Sequence, residues 1–251
     1  MKRAPLPRLL QALVIVSVPV LLTTGSVRLV TSHTLVRWEY SRPGFPADPY
    51  GLPVPERIRL AGLCIDYLAG GGAVSLLAEA KLSNGQAAFD LRQLDHMVDV
   101  HGVYSGMTIA GCTAGLISAA ALAALAARPA SRLRAGRALL GGGLLTVGLL
   151  VALGLFMLLG WRSFFDSFHR TFFEEGTWTF YWSDTLIRLF PGRFWQDVAG
   201  AIVGFVALGA LVVALAGWLW TRRIRSASKA GGAVGRSRGS EERLSACAPP
   251  D

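Results

Sequence analysis

The chain has 251 residues, 52% of them apolar and only 16% charged, with a formal net charge of +9 and a mean hydropathy of +0.45. Water-soluble domains carry about 25% charged residues, so this composition excludes an ordinary soluble domain. The three cysteines, Cys64, Cys112 and Cys247, are too few and too scattered for a disulfide framework or a CxxC metal site.

The first element is an apolar run, Leu9–Val27, preceded by Lys2, Arg3 and Arg8. It has the outline of a secretory h-region, and is read here as a retained membrane span. A long polar segment, residues 31–101, follows. It opens with Pro43, Pro46, Pro49, Pro53 and Pro55, which exclude a regular helix there. Pro55–Leu68 places Ile58, Leu60, Leu63, Cys64, Tyr67 and Leu68 at helical spacing, and Gly70, Gly71 and Gly72 end that helix. Ala73–Phe89 contains a Ser83-Asn84-Gly85 turn and has the room for short strands. Asp90 is placed as the N-cap of a further helix that meets no Pro or Gly before Gly102 and runs into the second span, Val103–Ala127. The short loop to the third span, Ala138–Trp161, predicts that spans two and three are antiparallel neighbours. Gly141, Gly142, Gly143, Gly148 and Gly154 in span three predict close helix packing. A second polar segment, 162–197, precedes the fourth span, Val198–Trp220. The last three spans hold no Lys, Arg, Asp or Glu, and each of the four approaches the ~20 residues needed to cross ~30 Å of hydrocarbon. The tail, residues 226–251, is basic and Gly/Ser-rich and predicts disorder.

The charges are divided by side. The N-terminus, the loop with Arg128, Arg132, Arg134 and Arg137, and the C-terminal tail together hold 14 of the 25 basic groups and three of the 16 acidic ones. The positive-inside rule then places both termini in the cytoplasm and residues 31–101 and 162–197 outside. The basic excess is a topology signal and an attraction for anionic lipid. No aromatics interleave with it as nucleic-acid binding would require, so no nucleic-acid partner is expected. The expected architecture is an all-α membrane protein: a four-transmembrane-helix bundle over residues 1–225 with a small mixed extracytoplasmic subdomain.

Only four histidines occur, His33, His96, His101 and His169, all in or beside the outer segments. His96 precedes the apolar core of span two by seven residues, ~10 Å of helix. His169 follows Trp161 by eight, so neighbouring spans would raise both imidazoles to a similar height. Asp95 and Asp99 accompany His96, and Asp166 lies three residues before His169; such carboxylates can orient an imidazole or raise its pKa. Phe164, Phe165, Phe168, Phe172, Phe173, Trp178, Phe180, Tyr181 and Trp182 surround His169. They read equally as an interfacial aromatic belt or as a cleft for acyl chains. His33 and His101 read as structural. A zinc site built from His96, Asp99, His169 and Asp166 is a rival, but no HExxH and no ligand box is present. Gly102-Val103-Tyr104-Ser105-Gly106 lacks the spacing of a GxSxG nucleophile elbow. No P-loop or GxGxxG occurs, and neither metal nor cofactor is expected.

Two stretches, Leu94-Asp95-His96-Met97-Val98-Asp99-Val100 and Phe168-His169-Arg170-Thr171-Phe172-Phe173, the second followed by Trp178, Leu186-Ile187-Arg188-Leu189-Phe190-Pro191 and Phe194, are informative as a pair. With four spans and a long first outer segment, the chain over about residues 8–222 resembles the Lit family of bacterial integral membrane proteins, the lipoprotein intramolecular transacylases. The resemblance implies a reaction on lipoproteins whose N-terminal cysteine carries a diacylglyceryl thioether. The sn-2 acyl chain moves from the glyceryl oxygen to the α-amino group, giving the lyso form. It implies His96 and His169 as the catalytic pair; the spacing of Asp95, Asp99 and Asp166 then makes these the residues expected to orient them. Arg170, Phe172, Phe173 and Trp178 become contacts to substrate or developing charge. The implied partners are diacylglyceryl-modified lipoprotein N-termini and membrane phospholipid, and the implied location is the bacterial plasma membrane. A non-catalytic scaffold or accessory of the same family, and a metal-dependent membrane hydrolase, are the competing readings.

Overall fold

A computed structural model describes the backbone of residues 6–246 and the side chains of residues 6–226. Among them, four helices are long and apolar enough to cross a membrane: Leu6–Val30, Leu91–Ala127, Pro129–Leu159 and Gly192–Ser226. In chain order the elements are α1 (Leu6–Val30), α2 (His33–Ser41), α3 (Val54–Gly70), α4 (Ser75–Ala78), α5 (Leu91–Ala127), a 3₁₀ turn (Pro129–Ser131), α6 (Arg132–Leu159), α7 (Trp161–Phe172), α8 (Thr185–Leu189) and α9 (Gly192–Ala246). The tail expected to be disordered at 226–251 is instead helical as far as Ala246, the end of α9; side chains after Ser226 and the backbone from 247 lie outside the described residues.

Helix α1 is the axis of the bundle and packs against α5, α6 and α9. Close approach is made possible by glycines at the crossings. A Cβ on Gly142 would lie 2.7 Å from Val18 Cγ2, and one on Gly136 would lie 2.6 Å from Thr221 Oγ1 on α9. Lipid gives no hydrophobic reason for helices to associate, so such backbone-to-side-chain fit supplies the packing energy. The arrangement corrects one expectation. Helices α5 and α6 are joined by a short turn, in which Ser131 Oγ donates to Leu125 O at 2.8 Å and Arg132 Nε to Ala126 O at 2.9 Å. Yet they touch only sparsely, and each packs far more extensively on α1. Loop length fixes that two helices are antiparallel; it does not stop a third from taking the better interface.

A second correction concerns the end of span three. Helix α6 stops at Leu159, Gly160 is extended (φ −176°, ψ 92°), and α7 starts as a separate helix at Trp161. Trp161, Phe164, Phe165, Phe168 and Phe172 form one stripe of α7, with Arg162, Ser163, Asp166 and Arg170 away from it. No residue of α7 is buried. Phe168 and Phe172 are exposed and Trp161, Phe164 and Phe165 half-buried; an apolar stripe so incompletely covered suits a helix lying in a membrane interface.

The polar segments form a cap of α2, α3, α4 and α8 around a core of Leu60, Cys64, Tyr67, Leu77, Phe89, Met97, Leu186 and Leu189. Gly71, in the left-handed region at φ +73°, ends α3. The cap is helical almost throughout: the room for strands at 73–89 resolves to α4 and a lone antiparallel bridge between Lys81 and Ala87. The turn at Gly85 brings Leu82 N to Gln86 O (2.9 Å), but the arms are too short for a ladder. Arg57, 1% exposed, locks the cap. It donates from Nε and Nη2 to Arg188 O (3.0 and 2.7 Å) and from Nη1 to Pro46 O (2.9 Å). Its guanidinium lies over the Tyr40 ring at 4.7 Å, and Tyr40 OH donates to Leu189 O at 2.6 Å.

Candidate active site

Helix α5 has 37 residues, about 55 Å, far more than the hydrocarbon needs. Its first three turns, before Val103, therefore stand outside the membrane core, and His96 is in the second of them. Asp90 caps α5 by accepting from Gln93 N at 2.8 Å. The Gln93 side chain accepts from Leu186 N at 2.9 Å, and Arg92 Nη2 meets Asp184 Oδ2 at 2.7 Å. Asp184 also accepts from Tyr181 N at 2.8 Å. These bonds bind the segment 180–186 to α5 and press Phe180 edge-on against His96, ring centroids 5.2 Å apart.

His169 arrives from α7, not from an extension of α6. Its Nδ1–H donates to Phe165 O at 2.8 Å, so in the neutral ring Nε2 carries the free lone pair. Phe165 (4.1 Å), Phe168 (5.5 Å) and Trp178 (4.9 Å) pack around it. The two imidazoles meet over one ring: Phe173 lies 5.1 Å from His96 and 5.6 Å from His169. His96 and His169 thus share one cluster of aromatic rings.

Burial dominates the electrostatics. It pushes the His96 pKa from 6.5 down to about 4, with His169 adding a smaller push in the same direction. Burial also lowers the pKa of His169, opposed by its bond to Phe165 and by the nearby Asp166. Both rings are neutral at pH 7. The Nδ1 of His96 and the Nε1 of Trp178 are buried without a partner.

The other residues singled out from sequence are dispersed. Asp95 and Asp99 are exposed, and neither hydrogen-bonds to His96, whose Nδ1 stays unpaired. Asp166 acts on His169 through its charge. Arg170 and Phe172 are exposed on α7, while Phe173 and Trp178 are half-buried against His169. His33 pairs with Asp66 at 2.7 Å, and His101 lies 5.0 Å from the Tyr67 ring. No group of three or more His, Cys, Asp or Glu among the described residues is arranged to hold a metal ion, so the four zinc candidates do not converge. Sequence reasoning passed over Arg92, which lies over both Phe180 (5.5 Å) and Tyr181 (5.0 Å). Its position four residues before His96, on the same helix face, was the available signal. Phe180 was seen only as part of the aromatic run.

A family model described as "Lipoprotein intramolecular transacylase Lit" matches residues 12–195. An uncharacterized protein of Aquifex aeolicus (strain VF5) is 29% identical over 190 residues, 76% of this chain and 84% of that one. The in meso structure of the membrane integral lipoprotein intramolecular transacylase Lit from Bacillus cereus aligns with a TM-score of 0.70 at 19% identity, covering 88% of this chain and 98% of the other. A variant of that enzyme with one histidine changed to arginine aligns with a TM-score of 0.64 at 17% identity, covering 88% and 94%. These structural matches share the fold of this chain.

Proposed function

This chain belongs to the Lit family of lipoprotein intramolecular transacylases, and on that premise we propose that it moves the sn-2 acyl chain of a diacylglyceryl lipoprotein from the glyceryl oxygen to the α-amino group of the N-terminal cysteine. The carrying observation is the convergence of His96 and His169 on Phe173, in one cluster of aromatic rings. With both termini cytoplasmic, as the charge division favours, that cluster lies toward the outer leaflet of the plasma membrane, where the substrate's acyl chains lie.

The chemistry asks for no protein nucleophile, because substrate amine and ester belong to one molecule and reach a high effective concentration once bound. The amine attacks the ester carbonyl as Nε2 of His169 takes its proton; the Phe165 carbonyl holds the tautomer that leaves this nitrogen free. Asp166 steadies the transient imidazolium. The tetrahedral intermediate collapses with loss of the glyceryl oxygen, which receives, by way of His96, the proton that His169 took from the amine. Burial makes His96 a poor home for positive charge, so a proton reaching it is passed on to the alkoxide readily. One N–H and one C–O bond break, one C–N and one O–H bond form, and both histidines end as they began. Asp95 and Asp99 contribute to the polar rim of α5, and Arg170 and Phe172 face lipid headgroups and acyl chains from α7.

The direct test is mass spectrometry of a lipoprotein N-terminus from cells with and without the protein. A diacylglyceryl form should become a lyso form of unchanged total acyl content, now resistant to N-terminal degradation. Cells carrying His96→Ala at normal membrane abundance should retain the diacyl form. Full conversion by that variant rejects the assignment of His96, and no conversion by the wild type rejects the reaction.

A further inference from the structure

Four side-chain polar atoms among the described residues are buried without a hydrogen-bond partner, and two of them, His96 Nδ1 and Trp178 Nε1, lie in the same aromatic cluster. Buried polar groups are nearly always satisfied, and leaving one unpaired is costly. The proton path above occupies His96. It leaves Trp178 unexplained.

Trp178 is not placed as an interfacial tryptophan ordinarily is. In an aromatic belt the indole body sits in the membrane and its N–H reaches water or headgroups. Here the N–H is buried and the ring packs on His169 with centroids 4.9 Å apart. The chain is folded back to hold it there. Phe173 N donates to His169 O at 2.8 Å and Thr177 N to Glu174 O at 3.2 Å. Gly176 turns the chain at φ +91°, a conformation side chains disfavour. Thr177 Oγ1 donates to Glu174 O at 2.9 Å and Thr179 Oγ1 to Gly176 O at 3.3 Å. A built turn therefore carries the indole onto the proposed base.

The geometry points to Trp178 Nε1–H as the donor that stabilises the tetrahedral oxyanion during acyl transfer. The inference rests on the transacylase reading and adds to it the group that reaction otherwise lacks. Indole N–H is a donor that cannot accept and does not release its proton near neutral pH, so it can hydrogen-bond to an oxyanion but serves neither as the base for the amine nor as the acid for the leaving oxygen. It lies beside the base, where the attacked carbonyl must also lie. Its ground-state cost is recovered when charge develops on the carbonyl oxygen, which is how a preorganised donor lowers a barrier.

The test replaces Trp178 in the full-length protein with β-(benzothienyl)alanine, which keeps the bicyclic ring and exchanges only N–H for sulfur, alongside Trp178→Phe. The proteins act on a synthetic diacylglyceryl-cysteine peptide in lipid mesophase. Loss of one such donor should lower kcat about 100–1,000-fold with KM little changed and the same thermal unfolding midpoint for the benzothienyl protein. Ring-fluorinated tryptophans, with a more acidic N–H, should raise kcat when oxyanion formation limits the rate. A benzothienyl protein with wild-type kcat, or one altered in KM alone, overturns the donor role and leaves the transacylase reading intact. An inactive wild type overturns the transacylase reading, and the donor role with it.

Discussion

The bundle and the aromatic cluster above it are built on opposite terms. Between the spans, contact is so close that glycine is required: a Cβ on Gly142 or Gly136 would collide with Val18 or Thr221, and the buried hydroxyls of Thr146 and Thr221 bond back to carbonyls of their own helices at 2.8 Å. In the cluster, two polar atoms are left unpaired and the aromatic rings around them are only half-buried. One region minimises its own energy. The other leaves polar groups unpaired at a local cost, which on the function proposed above readies them for a bound substrate. Arg57, with its three bonds to carbonyls, holds the segment around Arg188 that continues from the one packing Phe180 on His96.

This contrast is open to attack by experiment. The largest effect belongs to the cluster: His169→Ala should cut transacylation at least 1,000-fold, within the range of a lost general base together with its geometry, while the unfolding midpoint in detergent moves little. A large loss of stability in that variant would make His169 a structural residue and erase the distinction. Next comes Arg57→Ala in the cap, which strands the carbonyls of Arg188 and Pro46 and opens a cavity beside Tyr40. Chemical denaturation should show about 1–3 kcal/mol lost, the usual cost of leaving buried acceptors unsatisfied. Activity should fall with it, because the 178–190 segment loses its anchor; an unchanged denaturation curve contradicts the locking role. In the bundle, Gly142→Leu should destabilise by roughly 1–3 kcal/mol through overpacking against Val18. Catalysis per folded molecule should be preserved, and a selective loss of kcat would show that bundle and cluster are coupled.

The smallest effect is a pH dependence. Burial holds the pKa of His96 and His169 below the ordinary 6.5, so the unfolded chain binds protons more readily than the folded one. Stability is therefore fully present above pH 6.5 and declines as the pH falls below it. The thermal midpoint of the protein without substrate is the cleaner measurement, since a substrate α-amine titrates near 8 itself. His96→Phe should flatten the decline between pH 6.5 and 5; an equal slope in both proteins would show that the ring charges as easily folded as unfolded.

Much of this was legible in the residues. The four spans follow from runs without charge, because hydrocarbon tolerates little else. The helix from Pro55, its end at the Gly70–Gly72 stretch and the Asp90 cap follow from local sterics and hydrogen bonding, which reach only a few residues. The two histidines drew notice because they were few and carried acids at helical spacing. Those same acids illustrate the limit: Asp99 shares a helix with His96, but spacing alone could not tell that its carboxylate stays exposed and unbonded to the ring.

The residues themselves thus determined that the chain crosses a membrane four times, with a polar cap and an aromatic amphipathic segment around His169. Tertiary structure decided which helices touch, placing α1 against both α5 and α6. It also decided that the chain breaks at Gly160, that Arg92 and Phe180 join His96, and that Trp178 points its N–H inward. The physical reason is range. Hydropathy, caps and turns are settled by neighbours in sequence. The pairing of helix faces and the direction of a buried donor depend on shapes contributed by segments eighty to a hundred residues apart, as in Gln93 with Leu186 or Thr24 with Met107.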